Sequence, residues 1–365
     1  MFPLIRGFRD SHLAKKAIRY IEDLAGDQLF RIVHVCGTHE DTITKYGIRD
    51  MLPEHIEVLM GPGCPVCTVP PNKIAFAKRI SEKSAILTTF GDMMKVPSRH
   101  GSLADASAKG ADIRIVYSIH DSIKIAERSG KDVVHFAVGF ETTAPTTAAE
   151  ILANPPKNFS IYSAHLLIPP AMMHLLESGE APINGFILPG HVSTIIGSAG
   201  YREVVERFKI PQVVAGFEPL DVLFAISMIL KQAIEGRGEI ENEYSRVVRM
   251  EGNPRAQWMM KQVFDKVDGA WRGIGVIKDS GLALKREFEE YDATKRFDVE
   301  TEEDFAMPKG CRCGEVLKAI IYPWDCPLYN SSCTPDNPIG PCMVSHEGSC
   351  YISARYGTLG RMKHR

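Results

Sequence analysis

The chain offers no apolar run long enough to cross a membrane. Its longest apolar stretch, Gln212–Leu230, is interrupted by Glu218 and Asp221. The opening MFPLIRGFRDSHLAKKAIRYIEDLAG has neither the apolar core nor the small-residue cleavage site of a signal peptide. A cytoplasmic location is therefore expected. No excess of one charge is present either: the formal net charge is -2, which argues against nucleic acid or an anionic membrane as partner. There is no G-x-x-x-x-G-K-[ST], no G-x-G-x-x-G after an apolar run and no G-x-S-x-G. Nucleotide-driven chemistry and serine hydrolysis lack support.

What the chain does have is cysteine, nine in all. With 365 residues, 44% of them hydrophobic, it can bury a sizeable core and has no need of disulfides for stability. In a reducing compartment, clustered cysteines are more often metal ligands or redox catalysts than staples.

Leu13, Ala17, Ile18, Ile21 and Leu24 recur at helical spacing, with Asp10 or Ser11 to cap the start and Gly26 the end. Short apolar runs then recur at Phe30–Val35, Ile56–Met60, Ala85–Thr89, Ile113–Tyr117, Val133–Val138, Ile161–Ala164, Phe186–Leu188 and Gln212–Ala215. Amphipathic stretches separate most of them, the pattern of βαβ units. The fold expected is α/β: two α/β domains with mainly parallel sheets plus a C-terminal Cys-rich domain. The divisions are an N-terminal helix in 1–26, α/β domains in 27–130 and 131–236, and the Cys-rich domain in 237–365.

The strongest chemical signal is the tail Cys311–Cys350, which holds Cys311, Cys313, Cys326, Cys333, Cys342 and Cys350. The intervening lengths are one, twelve, six, eight and seven residues. Zinc ribbons use paired C-x₂₋₄-C knuckles, and none occurs here. Irregular spacing among Pro-rich loops favours an iron–sulfur cluster wrapped by four thiolates. The tail has too little apolar content to pack alone. The expected ligands are Cys313, Cys326, Cys333 and Cys350, with Cys311 an alternative to Cys313 and Cys342 to Cys350. The two spare thiols are either inert or a redox dithiol beside the cluster.

The second signal is GPGCPVC, Gly61–Cys67, directly after an apolar run. A C-x-x-C at a strand end is a thiol–disulfide catalyst or a soft metal clip. The third is CGTHE, Cys36–Glu40, also after an apolar run. A helix starting there would favour the Cys36 thiolate; the plainer alternative is a buried Cys36 beside a Thr38 cap. FGDMMKVP, GFETTAP, PGHVS and GFEPLD carry Lys95, Glu141, His191 and Glu218 at strand ends, each a candidate for substrate or partner binding and equally a helix cap or loop residue.

CGTHE, GPGCPVC, TTFGDMMKVPS, GFETTAPT, LPGHVS and CTPDNPIGPCMVSHEGSCY occur in one order over most of the chain. In this the sequence resembles the HypD family of nickel–iron hydrogenase maturation proteins. One motif departs: the chain reads SCYISARYG where a segment such as ACAAYY is expected, with Cys350 retained. The resemblance implies two α/β domains and a [4Fe–4S] domain. It implies a part in building the Fe(CN)₂CO unit, in a complex with HypC and with cyanide delivered by HypE. Cys36, Cys64 and Cys67 then stand as the thiols for iron handling or redox. Cys36 is expected to ligate the transient iron that carries CN and CO, with His39 and Glu40 shaping its site. A stand-alone thiol–disulfide oxidoreductase fed by the cluster is the alternative.

Overall fold

The computed structural model describes residues 7–83, 85–300 and 307–357. Residues 1–6, 84, 301–306 and 358–365, parts of the expected N-terminal, first α/β and Cys-rich segments, lie outside the described residues.

All eight apolar runs form strands: β1 Phe30–His34, β2 Ile56–Met60, β3 Ile86–Thr89, β4 Ile113–Ile115, β5 Val133–Gly139, β6 Phe159–His165, β7 Gly185–Pro189 and β8 Gln212–Ala215. Four of them, β3, β5, β7 and β8, are buried along their whole length, as central strands covered on both faces must be. They pair in parallel, because helices return the chain after each strand. The helix Ser11–Ala25 precedes β1. Asp10 caps it by accepting from the N–H groups of His12 and Leu13, and Gly26 ends it. Its Ala17, Ile21 and Ala25 are buried, and it packs on the helix Pro219–Ile234.

The strands are not partitioned at Gly130–Lys131. One sheet has the order β2-β1-β7-β8-β9, where β9 is Ile240–Asn242; the other has the order β4-β3-β5-β6. The 27–130 segment therefore contributes to both sheets, and so does 131–236. Apolar periodicity marks where strands are but not which strands become neighbours. Here the chain leaves the first sheet after β2, builds the second, and returns beside β1.

The antiparallel hairpin β10 (Phe264–Trp271) and β11 (Gly275–Leu284) was not among the expected strands. Its first strand exposes four successive residues, Asp265–Asp268, which masks the apolar pattern. The tail forms short helices, Cys313–Leu317, Pro341–Val344 and Ser349–Tyr356. It does not pack alone. Leu317, Met343, Cys313, Cys333, Cys342 and Cys350 share one core with Met60, Phe76, Phe136 and Val138. Among the described residues no helix is long and apolar enough to cross a membrane.

Candidate functional site

Four of the sequence motifs meet at the carboxyl edge of the first sheet. Cys36 follows β1, the Gly61–Cys67 loop follows β2, Gly190 and His191 follow β7, and Gly216–Glu218 follow β8. The order in which strands are added reverses between the parallel neighbours β1 and β7, β2 lying on one side and β8 and β9 on the other, so Cys36 lies at the crevice where ligands of open α/β sheets bind. Parallel pairing of His34 with Met60 brings the first two loops side by side. The Gly61 N–H donates to the His34 carbonyl at 2.8 Å and the Gly37 N–H to the Gly63 carbonyl at 3.2 Å.

Cys36 is the residue before the helix Gly37–Lys45, and it is buried. Burial pushes its thiol pKa up to about 11; the N–H groups of His39 and Thr38 and the Thr38 hydroxyl oppose the rise, and the charge of Glu347 adds to it. Glu347 reaches this point because the tail lies on the helix start. A Cβ on Gly37 would stand 2.5 Å from the Glu347 Cβ.

His39 and Glu40, expected to shape the Cys36 site, are engaged elsewhere. His39 Nε2 faces the carbonyls of Gly216 at 2.9 Å and Ala215 at 3.3 Å, and its ring tilts against Phe217. Burial, with His34 nearby, pushes its pKa down to about 3, so it is neutral. Glu40 is fully buried and accepts from Arg49 Nη1 at 3.0 Å, Thr44 Oγ1 at 3.1 Å and Ser349 Oγ at 3.3 Å. His34 Nε2 lies 2.8 Å from its other oxygen. Burial alone would raise the Glu40 pKa, but the Arg49 charge and the His34 hydrogen bond outweigh it and hold the group ionised. The carboxylate ties the helix to strand β1 and to the tail; it is a structural anchor. Arg49 and Glu347 were not candidates from sequence. Arg49 sits in an ordinary helical IRDM segment, whereas Glu347 had a signal in its place two residues after Ser345 and three before Cys350.

Cys64 and Cys67 are disulfide-bonded, with Cα atoms 5.3 Å apart. Their short helix, Pro65–Thr68, packs against Pro341–Val344, the tail helix that carries Cys342. Cys342 is itself bonded to Cys313. The two disulfides therefore lie in one buried apolar layer.

Cys313, expected as a cluster ligand, is thus oxidised to a disulfide and not a free thiol. The free cysteines of the tail are Cys311, Cys326, Cys333 and Cys350. All six line one small cavity. The four free thiols sense one another. Burial pushes Cys311 up to about 11 and Cys350 well above the ordinary thiol range, and the charges of Cys326 and Cys333 add to both rises. Cys333 Sγ accepts from the Ile339 N–H at 3.3 Å. Gly340 passes so close that a Cβ there would stand 2.6 Å from Cys311 Sγ. Among the described residues no three His, Cys, Asp or Glu side chains converge tightly enough to hold a single ion. In a four-iron cluster each thiolate sits on its own iron, so the sulfurs stand farther apart.

The remaining candidates separate. Lys95 is exposed at the second sheet. His191 is exposed and stacks on Phe217 with ring centroids 4.0 Å apart, which places it beside the Cys36 crevice. Glu218 caps the helix Pro219–Ile234 and pairs with Arg9. Glu141 is buried; its Oε1 accepts from the Ile168 N–H at 3.0 Å, and Oε2 has no partner.

Residues 12–357 match the family described as HypD, hydrogenase formation hypA family. The chain is 47% identical to a putative hydrogenase expression/formation protein of Methanocaldococcus jannaschii, over 95% of this chain and 98% of the relative. It is 42% identical to the hydrogenase maturation factor HypD of Cupriavidus necator, over 97% of each. Identity to the hydrogenase maturation factor HypD of Escherichia coli is also 42%, over 95% of this chain and 92% of the relative.

Proposed function

Because the chain belongs to the HypD family of hydrogenase maturation factors, we propose that it is the iron–sulfur scaffold and thiol redox centre on which the Fe(CN)₂CO unit of a nickel–iron hydrogenase is assembled, with HypC- and HypE-type proteins as partners. The observation that carries this reading is the meeting of Cys36 with the Cys64–Cys67 loop at the crevice, with a second disulfide and four free thiols behind them. Low-spin iron bearing CO and cyanide favours soft thiolate donors. Cys36 supplies one such donor to the iron cargo and leaves its other positions to the diatomic ligands and to a partner's own side chains. The groups nearest to hydrogen-bond there are the N–H groups of Thr38 and His39, the Thr38 hydroxyl and Glu347.

A resident [4Fe–4S] cluster fits Cys311, Cys326, Cys333 and Cys350. These thiols are free, they share one cavity, and burial makes Cys311 and Cys350 costly to ionise without a compensating cation. Bound there, such a cluster would relay single electrons taken from an external one-electron reductant. Two electrons and two protons convert the Cys313–Cys342 disulfide to a dithiol. The Cys342 thiolate then attacks the Cys64–Cys67 bond to give a mixed disulfide. The Cys313 thiol resolves it, restoring Cys313–Cys342 and leaving Cys64 and Cys67 reduced. The contact of the two short helices favours this exchange.

The same pair of disulfides also suits a stand-alone thiol–disulfide oxidoreductase, in which Cys36 has no task. Purification with a HypC-type partner, followed by infrared absorption, separates the two. The complex is expected to show cyanide and CO stretches. Cys36→Ala is expected to fold, to keep the tail's iron and sulfide, and to lose those bands. Bands of unchanged intensity in that variant would refute the ligand role. A bandless complex that reduces a disulfide substrate would favour the oxidoreductase.

A further inference from the structure

A cavity of about 470 Å³ opens away from the cysteines, between the chain after β6, the helix Pro254–Val263 and the β10–β11 hairpin. Its volume is in the range of small-molecule sites. Leu167, Met173, Met260 and Phe264 make its walls largely apolar. Glu141 lines it from within the protein, only 2% exposed, and the partnerless Oε2 belongs to this carboxyl group. Lys261, Lys266 and Glu203 line the cavity as well, all three exposed to solvent, so its outer rim carries two cations against one anion.

Each class of occupant meets a different part of this lining. A purely apolar molecule would cover the walls but leave Oε2 unpaired, at a cost of about 1–3 kcal/mol. Water alone would satisfy Oε2 and leave the walls wet. Above its raised pKa of about 7 Glu141 is a carboxylate, and an anion placed against it there would be repelled. An amine pairs with the buried carboxylate, an alkyl spacer covers the walls, and an anionic end meets the lysines. We propose that this cavity binds a small ω-amino carboxylate, its ammonium on Glu141, its methylenes along Met173 and Met260, and its carboxylate at Lys261 and Lys266. The site is independent of the thiol chemistry proposed above.

Calorimetric titration of the full chain with ε-aminocaproate at about pH 8.5, where Glu141 is ionised, tests this, with hexylamine and caproate as comparison ligands. Saturable one-to-one binding of ε-aminocaproate is expected, with hexylamine weaker and caproate weakest. Glu141→Gln keeps a carbonyl oxygen for the Ile168 N–H and should weaken ε-aminocaproate by about tenfold or more. The double change Lys261→Glu and Lys266→Glu should weaken ε-aminocaproate and leave hexylamine unchanged. Met173→Trp, which fills the cavity from its apolar wall, should abolish binding of both amines. Absence of saturable binding, undiminished affinity in Glu141→Gln or in folded Met173→Trp, or caproate binding as tightly as ε-aminocaproate would each overturn the assignment. Equal binding of hexylamine and ε-aminocaproate would overturn the role of the lysines.

Discussion

Gly63 lies so close to Cys36 that a Cβ on the glycine would stand 2.1 Å from the Cys36 backbone nitrogen and 2.3 Å from the Val35 carbonyl carbon. Both neighbours are backbone, so neither can swing aside. The close approach that joins the two thiol loops therefore depends on this glycine having no side chain.

Gly63→Ala should push the loops apart. The expected cost is about 2–4 kcal/mol of stability, since backbone must move in a buried layer. Chemical denaturation measures it. A variant as stable as the unaltered chain would mean that the loops have room the structure does not show.

Arg49→Met removes the cation that holds Glu40 ionised. A buried carboxylate left without its partner costs about 3–5 kcal/mol. Adding Glu40→Gln to Arg49→Met should restore part of that loss, because the stranded charge is gone. The sign with pH follows from the depressed Glu40 pKa in the fold. The stabilisation by the Glu40–Arg49 pair is full above the carboxyl's ordinary value of 4.5 and is lost as pH falls through the folded value. Equal urea midpoints for the single and double variants would remove the anchor role.

For the tail, Cys311→Ala and Cys326→Ala should each lower bound iron and acid-labile sulfide after anaerobic purification, whereas Cys313→Ser should retain both. The distinction rests on Cys313 being bonded to Cys342 while Cys311 is free. Full iron in Cys311→Ala with loss in Cys313→Ser would exchange their roles.

The strands were legible because each is a short apolar run ended by Gly, Pro or a polar motif. From that alone it followed that CGTHE and GPGCPVC sit at strand ends. Sheet membership was not legible, since β1 gains its neighbour β7 from about 150 residues away. The hairpin escaped because Asp265, Lys266 and Asp268 stand exposed on a strand whose buried residues are only Phe264, Gly269 and Trp271. Glu40 read as a site group because its position beside His39 is visible in the sequence, while its ion partner Arg49 carries no motif. The tail's six thiols were visible, but their pairing is not: Cys313 and Cys342 are separated by 29 positions, and only the fold brings them together.

The response to acid should have two regimes, set by buried groups that titrate in opposite senses. His39, His135 and His165 are buried, and burial pushes their pKa values down to about 3, 3 and 4 from 6.5. Below pH 6.5 the unfolded chain binds protons that these folded imidazoles refuse, so each loses stability as pH falls, by about 1.4 kcal/mol per pH unit. Burial raises Glu141 to about 7, and burial with the charge of Asp221 raises Glu243 to about 7, both from 4.5. Between 4.5 and 7 these folded carboxyls hold protons that the unfolded chain releases, so their contribution is lost as pH rises. From pH 6.5 down to 4.5 the three histidines work against the two carboxyls, and the net slope is shallow. Below 4.5 the carboxyls are protonated in both states, the histidines act unopposed, and stability should fall steeply. Unfolding free energies across pH 4 to 7 measure this. Glu141→Gln removes one opposing carboxyl and should steepen the upper regime, while His135→Gln should flatten the lower one. A single uniform slope, unchanged by Glu141→Gln, would show that Glu141 does not hold its proton in the fold.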